Sequence, residues 1–255
     1  MNESISISPA GEKFPLPKPE DYKTEFENIK NRVSQERAKN REIVVVMGVG
    51  FVGAVMAAIV ADTVDKKGQP TKFVIGMQRP SARSFWKIPL LNRGVSPVKA
   101  EDPEVDPMIA RCVNEKKTLI ATYTYEVLKL ADVVVVDVQC DYIKEDLGNV
   151  RTGQTDMAAL EASIGVIAEH IPPEALVLIE TTVAPGTTEQ VAYPIMKKAF
   201  KKRRIKSDPL LAHSYERVMP GRDYVASIRD FWRVCSGINE KAKQRVVKFL
   251  NEVLN

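Results

Sequence analysis

Two histidines and three cysteines are all the imidazole and thiol that this 255-residue chain contains. Cys112, Cys140 and Cys235 are odd in number and far apart, which fits neither a disulfide framework nor a C-x-x-C metal site. With only His170 and His213 to add, no zinc site is read, and both histidines are expected to be structural or surface residues. No apolar run approaches the roughly 20 residues that cross a bilayer. The opening residues, MNESISISPAGEKF, lack a basic start followed by an apolar stretch. A secretory signal is therefore not expected there; a cytoplasmic location is, with no membrane partner. Excess charge is small as well: 37 Lys and Arg stand against 33 Asp and Glu, a net +4. Much of it sits in KKAFKKRRIK, residues 197–206, which reads as the solvated end of a helix, so nucleic acid is not an expected partner.

What is present is an ordinary globular composition, 44% hydrophobic and 27% charged. Residues 1–40 are polar and carry Pro9, Pro15, Pro17 and Pro19. They read as an extension with one surface helix over residues 20–40, its weak apolar stripe running through Phe26, Ile29 and Val33, packed beside the main domain or partly mobile. From Arg41 short β-branched runs alternate with helical segments. EIVVVM (42–47), KFVIGM (72–77), LIAT (119–122), DVVVVDV (132–138), ALVLIE (175–180), PLLAHS (209–214) and WRVCSG (232–237) read as strands. Helices are expected over 51–64, briefly over 124–131, over 155–171 with Thr155 as N-cap, over 187–200 with a kink at Pro194, and over 239–255. Residues 79–107 read as a long Pro-rich loop. This alternation predicts an α/β fold, a doubly wound, Rossmann-like parallel sheet with an N-terminal helical extension. The expected division is the extension over 1–40, a dinucleotide-binding domain over 41–237, and a C-terminal helix over 238–255 leading toward a central domain outside this chain.

Glycine is sparse, 13 residues in all, yet three fall at Gly48, Gly50 and Gly53 in VVVMGVGFVG. This G-x-G-x-x-G follows a predicted strand and opens a predicted helix, the context in which such a turn cradles a dinucleotide pyrophosphate. Gly48 permits the tight turn, Gly50 keeps a side chain out of the phosphate's path, and Gly53 lets the helix lie close to the strand. The anion then meets free N–H groups at the positive end of a helix dipole. Gly48, Val49, Gly50, Phe51, Val52 and Gly53 are thus the expected cradle. The second strand should end in an acid that holds the adenosine ribose; here Met77, Gln78 and Arg79 stand in its place. Gln78 can hydrogen-bond a hydroxyl. Arg79 can pair with a 2′-phosphate, which would favour NADP, stack on adenine, or simply face solvent. NAD is the expected cofactor, with NADP as the alternative.

IETTVAPGTTE, residues 179–189, resembles a signature of the UDP-glucose/GDP-mannose dehydrogenase family. GVGFVG (48–53), ADVVVVDVQ (131–139), TDMAALEASIGVIAEHI (155–171), YERVMPGR (215–222) and WRVCSGI (232–238) resemble further segments of it, in the same order. Such enzymes oxidise the C6 hydroxymethyl of a nucleotide sugar to a carboxylate, with two NAD and a catalytic cysteine, often for polysaccharide biosynthesis. The resemblance implies a UDP-sugar substrate, with YERVMPGR leaning toward UDP-N-acetylhexosamines. It places Val138, Gln139 and Cys140 beside the cofactor and makes Thr182 a residue of the nicotinamide and catalytic water. Glu216 becomes the general base, also near substrate, and Arg217 a substrate contact. Read without it, Thr182 caps a helix starting near Gly186, and Glu216 and Arg217 are an exposed pair. Tyr215 stands where the family has proline. Cys140 stands where it often has threonine, with Asp141 raising its thiol pKa. The family's cysteine segment is not found in these 255 residues. The chain is therefore expected to be the NAD-binding part of such an enzyme, inactive alone, and a homodimer only with the central domain. The alternative is a stand-alone dinucleotide-binding module or sensor.

Overall fold

The computed structural model describes residues 5–143, 153–215, 217–219 and 221–254. A hairpin comes first, β1 (Ile5–Ile7) against β2 (Lys13–Pro15), then helix α1 (Asp21–Arg37). Strand β3 (Glu42–Met47), helix α2 (Phe51–Asp62) and strand β4 (Lys72–Met77) make the first crossover unit. Helices α3 (Lys87–Asn92) and α4 (Val105–Ala110) precede β5 (Leu119–Thr122) and β6 (Val133–Val136). A small antiparallel pair, β7 (Asp141–Ile143) and β8 (Gln154–Asp156), leads into α5 (Ala158–His170). The remainder is β9 (Leu176–Ile179), α6 (Tyr193–Lys202), β10 (Leu210–His213), α7 (Tyr224–Arg229), β11 (Ser236–Gly237) and α8 (Glu240–Val253).

Seven strands form one sheet in the order β11-β10-β9-β6-β3-β4-β5, parallel except for β11. The chain enters at β3, winds outward to β5, then returns to β6 on the other side. A crevice therefore opens between the carboxyl ends of β3 and β6, where the winding reverses. Both faces of the sheet are covered, which is why the strands are apolar at nearly every position. Val44 and Val46 face α2, α4, α7 and α8, whereas Ile43, Val45 and Met47 face α1, α5 and α6. Helix α2 is buried continuously from Gly53 to Ala61 because it is enclosed by the sheet, α4 and α7. Helix α8 closes the first face with Ala242, Val246, Phe249, Leu250 and Val253.

Several local expectations are corrected. Thr155 lies in β8, and the first amide of α5, that of Ala158, is held instead by the Asp156 carboxylate at 3.0 Å. Residues 79–107 are no plain loop, since α3 and the start of α4 lie within them. The predicted helix over 187–200 begins as a π-helical turn, Thr188–Ala192, which runs directly into α6 with Pro194 as its second residue. Of WRVCSG only Ser236 and Gly237 pair, and antiparallel. The basic run does end a helix, and Arg203 turns back to donate to the Ala168 and Ile171 carbonyls at the end of α5.

The extension packs on the domain. Ile29 and Val33 join the core with Ile43 and Phe73. Glu36, fully buried, accepts from Lys39 at 3.0 Å and Arg41 at 2.5 Å and forms an ion pair with Arg32 at 2.9 Å. Arg37 reaches the Asp132 carboxylate and the Leu130 carbonyl. At the amino ends of the strands Lys72 bridges Glu42 and Glu252, while Arg245 also meets Glu42, so α8 is tied to β3 and β4.

Replacing Glu36 with Ala leaves the nearly buried Arg41 without its carboxylate and is expected to cost about 3 kcal/mol, read as a lower urea midpoint at unchanged slope. Acid should act through other carboxylates. Burial raises the pKa values of Asp62 and Glu42, but bonds from Arg111 and Lys116, and from Lys72 and Arg245, outweigh it and leave both lowered. Their folded values lie below the unfolded ones, so their contribution is complete above the unfolded range and lost as pH falls through the folded values. Denaturation midpoints should therefore fall below about pH 4, and less steeply in the Asp62→Asn, Glu42→Gln double variant.

Candidate functional site

Every chain segment of the site leaves the carboxyl end of a parallel strand. After β3 the backbone turns at Gly48, whose φ of +96° suits glycine and whose absent Cβ would stand 2.6 Å from the Asp137 carbonyl oxygen. A Cβ on Gly53 would stand 1.8 Å from the Gly48 carbonyl oxygen, so helix and strand could not approach as they do. Gly50 is different: nothing lies within 4 Å of its Cβ position. No protein atom stands where its side chain would, which leaves room for a ligand to approach the backbone. Gly50 caps α2 without a side-chain bond, and no acid occupies the first turn of the helix. The first N–H groups of α2 have no intrahelical carbonyls to bond and face an anion site.

A cavity of about 360 Å³ lies beside this turn. Met47, Gly48 and Gly50 form one wall, Met77, Gln78, Arg79 and Lys87 another, and Asp137, Val138 and Gln139 the edge beyond β6. Tyr125 and a face of α5 made of Ala159, Ala162, Ser163 and Val166 complete it. The small side chains of that face keep the space open. Gln78 turns its side-chain oxygen to the Val49 amide at 3.2 Å, bracing the turn from the neighbouring strand. Burial raises the Tyr125 phenol pKa, opposed by the Arg79 charge beside it. Burial lowers that of Lys87. Open space against the glycine turn, free helix amides and a pocket that mixes apolar walls with polar and charged side chains all fit a dinucleotide.

Of the residues singled out in the sequence, Gly48, Gly50, Met77, Gln78, Arg79, Val138 and Gln139 meet at this cavity. Val49 instead packs its side chain over Gly76 of β4, where a Cβ would lie 2.6 Å from it. Phe51, at the start of α2, is half exposed and stacks on Tyr224 at 4.8 Å; Val52 is half-buried in the same turn. Cys140 lies against the second core face and outside the cavity wall; burial first, then Asp141 and Asp156, raise its thiol pKa. Lys87, Tyr125, Asp137 and the α5 face were missed. Asp137 and α5 lay within quoted motifs, but only the fold aligns them with the turn.

A second group of segments follows β9 and β10. Thr181 donates to the Val136 and Val138 carbonyls at 3.1 and 2.8 Å, tying this loop to the end of β6. Thr182 is exposed beside it, and the next helical turn starts only at Thr188, so Thr182 is no cap. Beneath, Glu180 and Arg233, both almost wholly buried, pair at 3.4 Å, and Arg233 also donates to the Tyr215 carbonyl at 3.0 Å. Arg233 thereby joins the segments after β9 and β10. Arg217 is exposed. Glu216 lies outside the described residues.

Together the winding, the three-glycine turn and the cavity at the reversal point define a dinucleotide-binding domain of the doubly wound class. The chain belongs to the UDP-glucose/GDP-mannose dehydrogenase family: the model of that family's NAD binding domain matches residues 42–254. It is 29% identical over 200 residues to the UDP-N-acetyl-D-mannosamine dehydrogenase of Pyrococcus horikoshii, covering 78% of this chain and 42% of that one. The crystal structure of NDP-N-acetyl-D-galactosaminuronic acid dehydrogenase from Methanosarcina mazei Go1 matches with a TM-score of 0.73 at 31% identity, over 88% of this chain and 44% of that one. For UDP-D-ManNAc dehydrogenase from Pyrococcus horikoshii the values are 0.68, 29%, 84% and 45%. The chain thus spans less than half the length of these relatives. Its cofactor is NAD. The extension before residue 42 lies outside the family match.

The two outer glycines and the middle one should respond differently. Gly53→Ala is expected to lower the thermal midpoint by several degrees because the new methyl meets backbone. Gly50→Leu should leave the midpoint nearly unchanged and abolish NAD binding in a calorimetric titration.

Proposed function

We propose that this chain is the cofactor-binding part of a nucleotide-sugar 6-dehydrogenase that oxidises the C6 hydroxymethyl of a UDP-N-acetylhexosamine to a carboxylate, consuming two NAD per turnover. The observation that carries the proposal is the open space at Gly50 against the amino end of α2. The similarity to dehydrogenases named for N-acetylated sugar nucleotides supports the choice of substrate. NAD, when bound, supplies the hydride acceptor. The N–H groups of the glycine turn and α2 would hold its pyrophosphate, and the cavity between β4, β6 and α5 its adenosine half.

On this reading Thr182 would orient substrate and water through a hydroxyl that both donates and accepts. Glu216 would take the proton from the attacking group, and Arg217 would hold the substrate's phosphate or carboxylate. Arg233, locked by Glu180, would position the loop that carries Glu216. A covalent thioester route needs a thiolate, and none of the three cysteines suits it. Cys112 is buried, its thiol pushed up to about 12 by burial and Asp62. Cys140 is likewise raised, and Cys235 packs against the α8 side of the core. The sulfur would come from residues other than these 255.

The chain should accordingly bind NAD in a calorimetric titration, yet form no NADH, read at its near-ultraviolet absorbance, when given UDP-N-acetylhexosamine. Steady NADH formation by this chain alone would refute the division of labour proposed here.

A further inference from the structure

One wall of the cofactor cavity comes from segments outside the sheet. Arg79 and Lys87 stand at either end of the stretch that joins β4 to α3, and Tyr125 stands just beyond β5. Both segments are gripped by residues that precede the family match. Ser6 of β1, fully buried, donates to the Ala82 carbonyl at 2.9 Å and accepts from the Trp86 amide at 3.1 Å. One hydroxyl thereby fastens the middle and the end of the first stretch, and within it Ser84 donates to the Arg79 carbonyl at 3.0 Å. Arg93, just past α3, pairs with Glu12 at 2.8 Å and lies over the Phe14 ring of β2 at 5.5 Å. From α1, Tyr22 meets Tyr123 edge-on at 5.0 Å, and Tyr123 meets Phe85 at 5.9 Å.

A second line of contacts runs from α1 to the glycine turn. Glu25 accepts from the Thr122 hydroxyl at 2.8 Å, at the end of β5. The Thr122 carbonyl accepts from the Gln78 amide at 3.0 Å, and the Gln78 side-chain oxygen accepts from the Val49 amide at 3.2 Å. Three hydrogen bonds thus join a helix of the extension to the turn that cradles the pyrophosphate. Thr122 is fully buried, so removing Glu25 leaves its hydroxyl without an acceptor and away from water.

From these contacts we infer that the extension is part of the NAD site, with Ser6 and Glu25 as positioning residues that hold the Arg79–Lys87 stretch and the Tyr125 turn ready for the nucleotide. The inference rests on reading the cavity as the seat of the adenosine half. A wall ordered in advance loses no freedom on binding, so releasing it lowers affinity without removing a contact to the nucleotide. The coupling is reciprocal: NAD tightens the seating of the extension by the factor by which the extension tightens NAD.

Calorimetric titration of the intact chain with NAD, well below its thermal midpoint, tests this. Glu25→Ala should weaken NAD about threefold or more, and the Ser6→Ala, Glu25→Ala double variant about tenfold or more. Glu25→Gln keeps an acceptor for the Thr122 hydroxyl and should bind NAD like the unchanged chain. Amide hydrogen exchange across β1 and β2, which lie outside the cavity wall, should slow when NAD binds and lose that response in the double variant. Glu25 is half-buried on a helix, where alanine is well tolerated, so its variant keeps the fold and decides the matter even if the double variant unfolds. Unchanged NAD affinity in the alanine variants overturns the inference and leaves the cradle intact. Glu25→Gln as weak as Glu25→Ala overturns the assignment of the hydroxyl bond. No heat from NAD with the unchanged chain overturns the reading of the cavity, and this inference with it.

Discussion

Helix α2 lies so close to β3 that one methyl group at residue 53 would sit inside the Gly48 carbonyl. That close approach sets the geometry of everything around it. It lets the amino end of α2 point into the crevice between β3 and β6, and it pushes Val49 under β4, where only Gly76 makes room. The Gly48 amide then bonds the Met77 carbonyl and the Asp137 amide bonds that of Met47, so three strand ends are stitched around one turn. A dinucleotide pyrophosphate needs such a rigid set of donors, because donors that had to be ordered on binding would lose affinity to entropy.

The two ends of the sheet are treated oppositely. At the amino ends charges are matched: Lys72 with Glu42 and Glu252, Arg245 with Glu42, Glu36 with three cations, Arg37 with Asp132. These networks fasten α1 and α8 and leave little charge to attract a ligand. At the carboxyl ends the cations of the cofactor wall stand without carboxylate partners and helix amides are open. The same polypeptide thus separates its stability from its binding along one axis. The ion pair of Glu180 and Arg233 is the exception. It is buried at the carboxyl side, where its worth lies in joining two loops more than in net stabilisation.

Much of the fold was legible because short, wholly apolar strand runs alternate with helical segments along the chain. The runs at 42–47, 72–77, 119–122 and 175–180 became strands with bounds matched to within a residue, since strands buried on both faces are apolar at every position. Misreadings fell where local chemistry was ambiguous. WRVC is as β-like as any run, yet Arg233 is drawn to Glu180 and the segment stays unpaired until Ser236. Thr155 is a good cap, but Asp156 is closer to the helix start and takes the role. In residues 79–107 prolines masked two short helices. The hairpin at the amino end has strands of three residues, too short for a periodic signal.

By itself the sequence determined the α/β winding, the three-glycine turn and the class of ligand, because these depend on backbone freedom and on patterns spanning only a few residues. Tertiary structure decided which side chains share the pocket. Lys87 comes from a segment that read as loop, Tyr125 from a 3-10 turn, and the α5 face from more than a hundred residues beyond the glycines. Their meeting follows from the return of the chain to β6, and no local spacing records it. Tertiary structure also fixed the state of Gln78, whose oxygen is spent on the Val49 amide. That bond ties the end of β4 to the glycine turn, a link between two strand ends that no local spacing records.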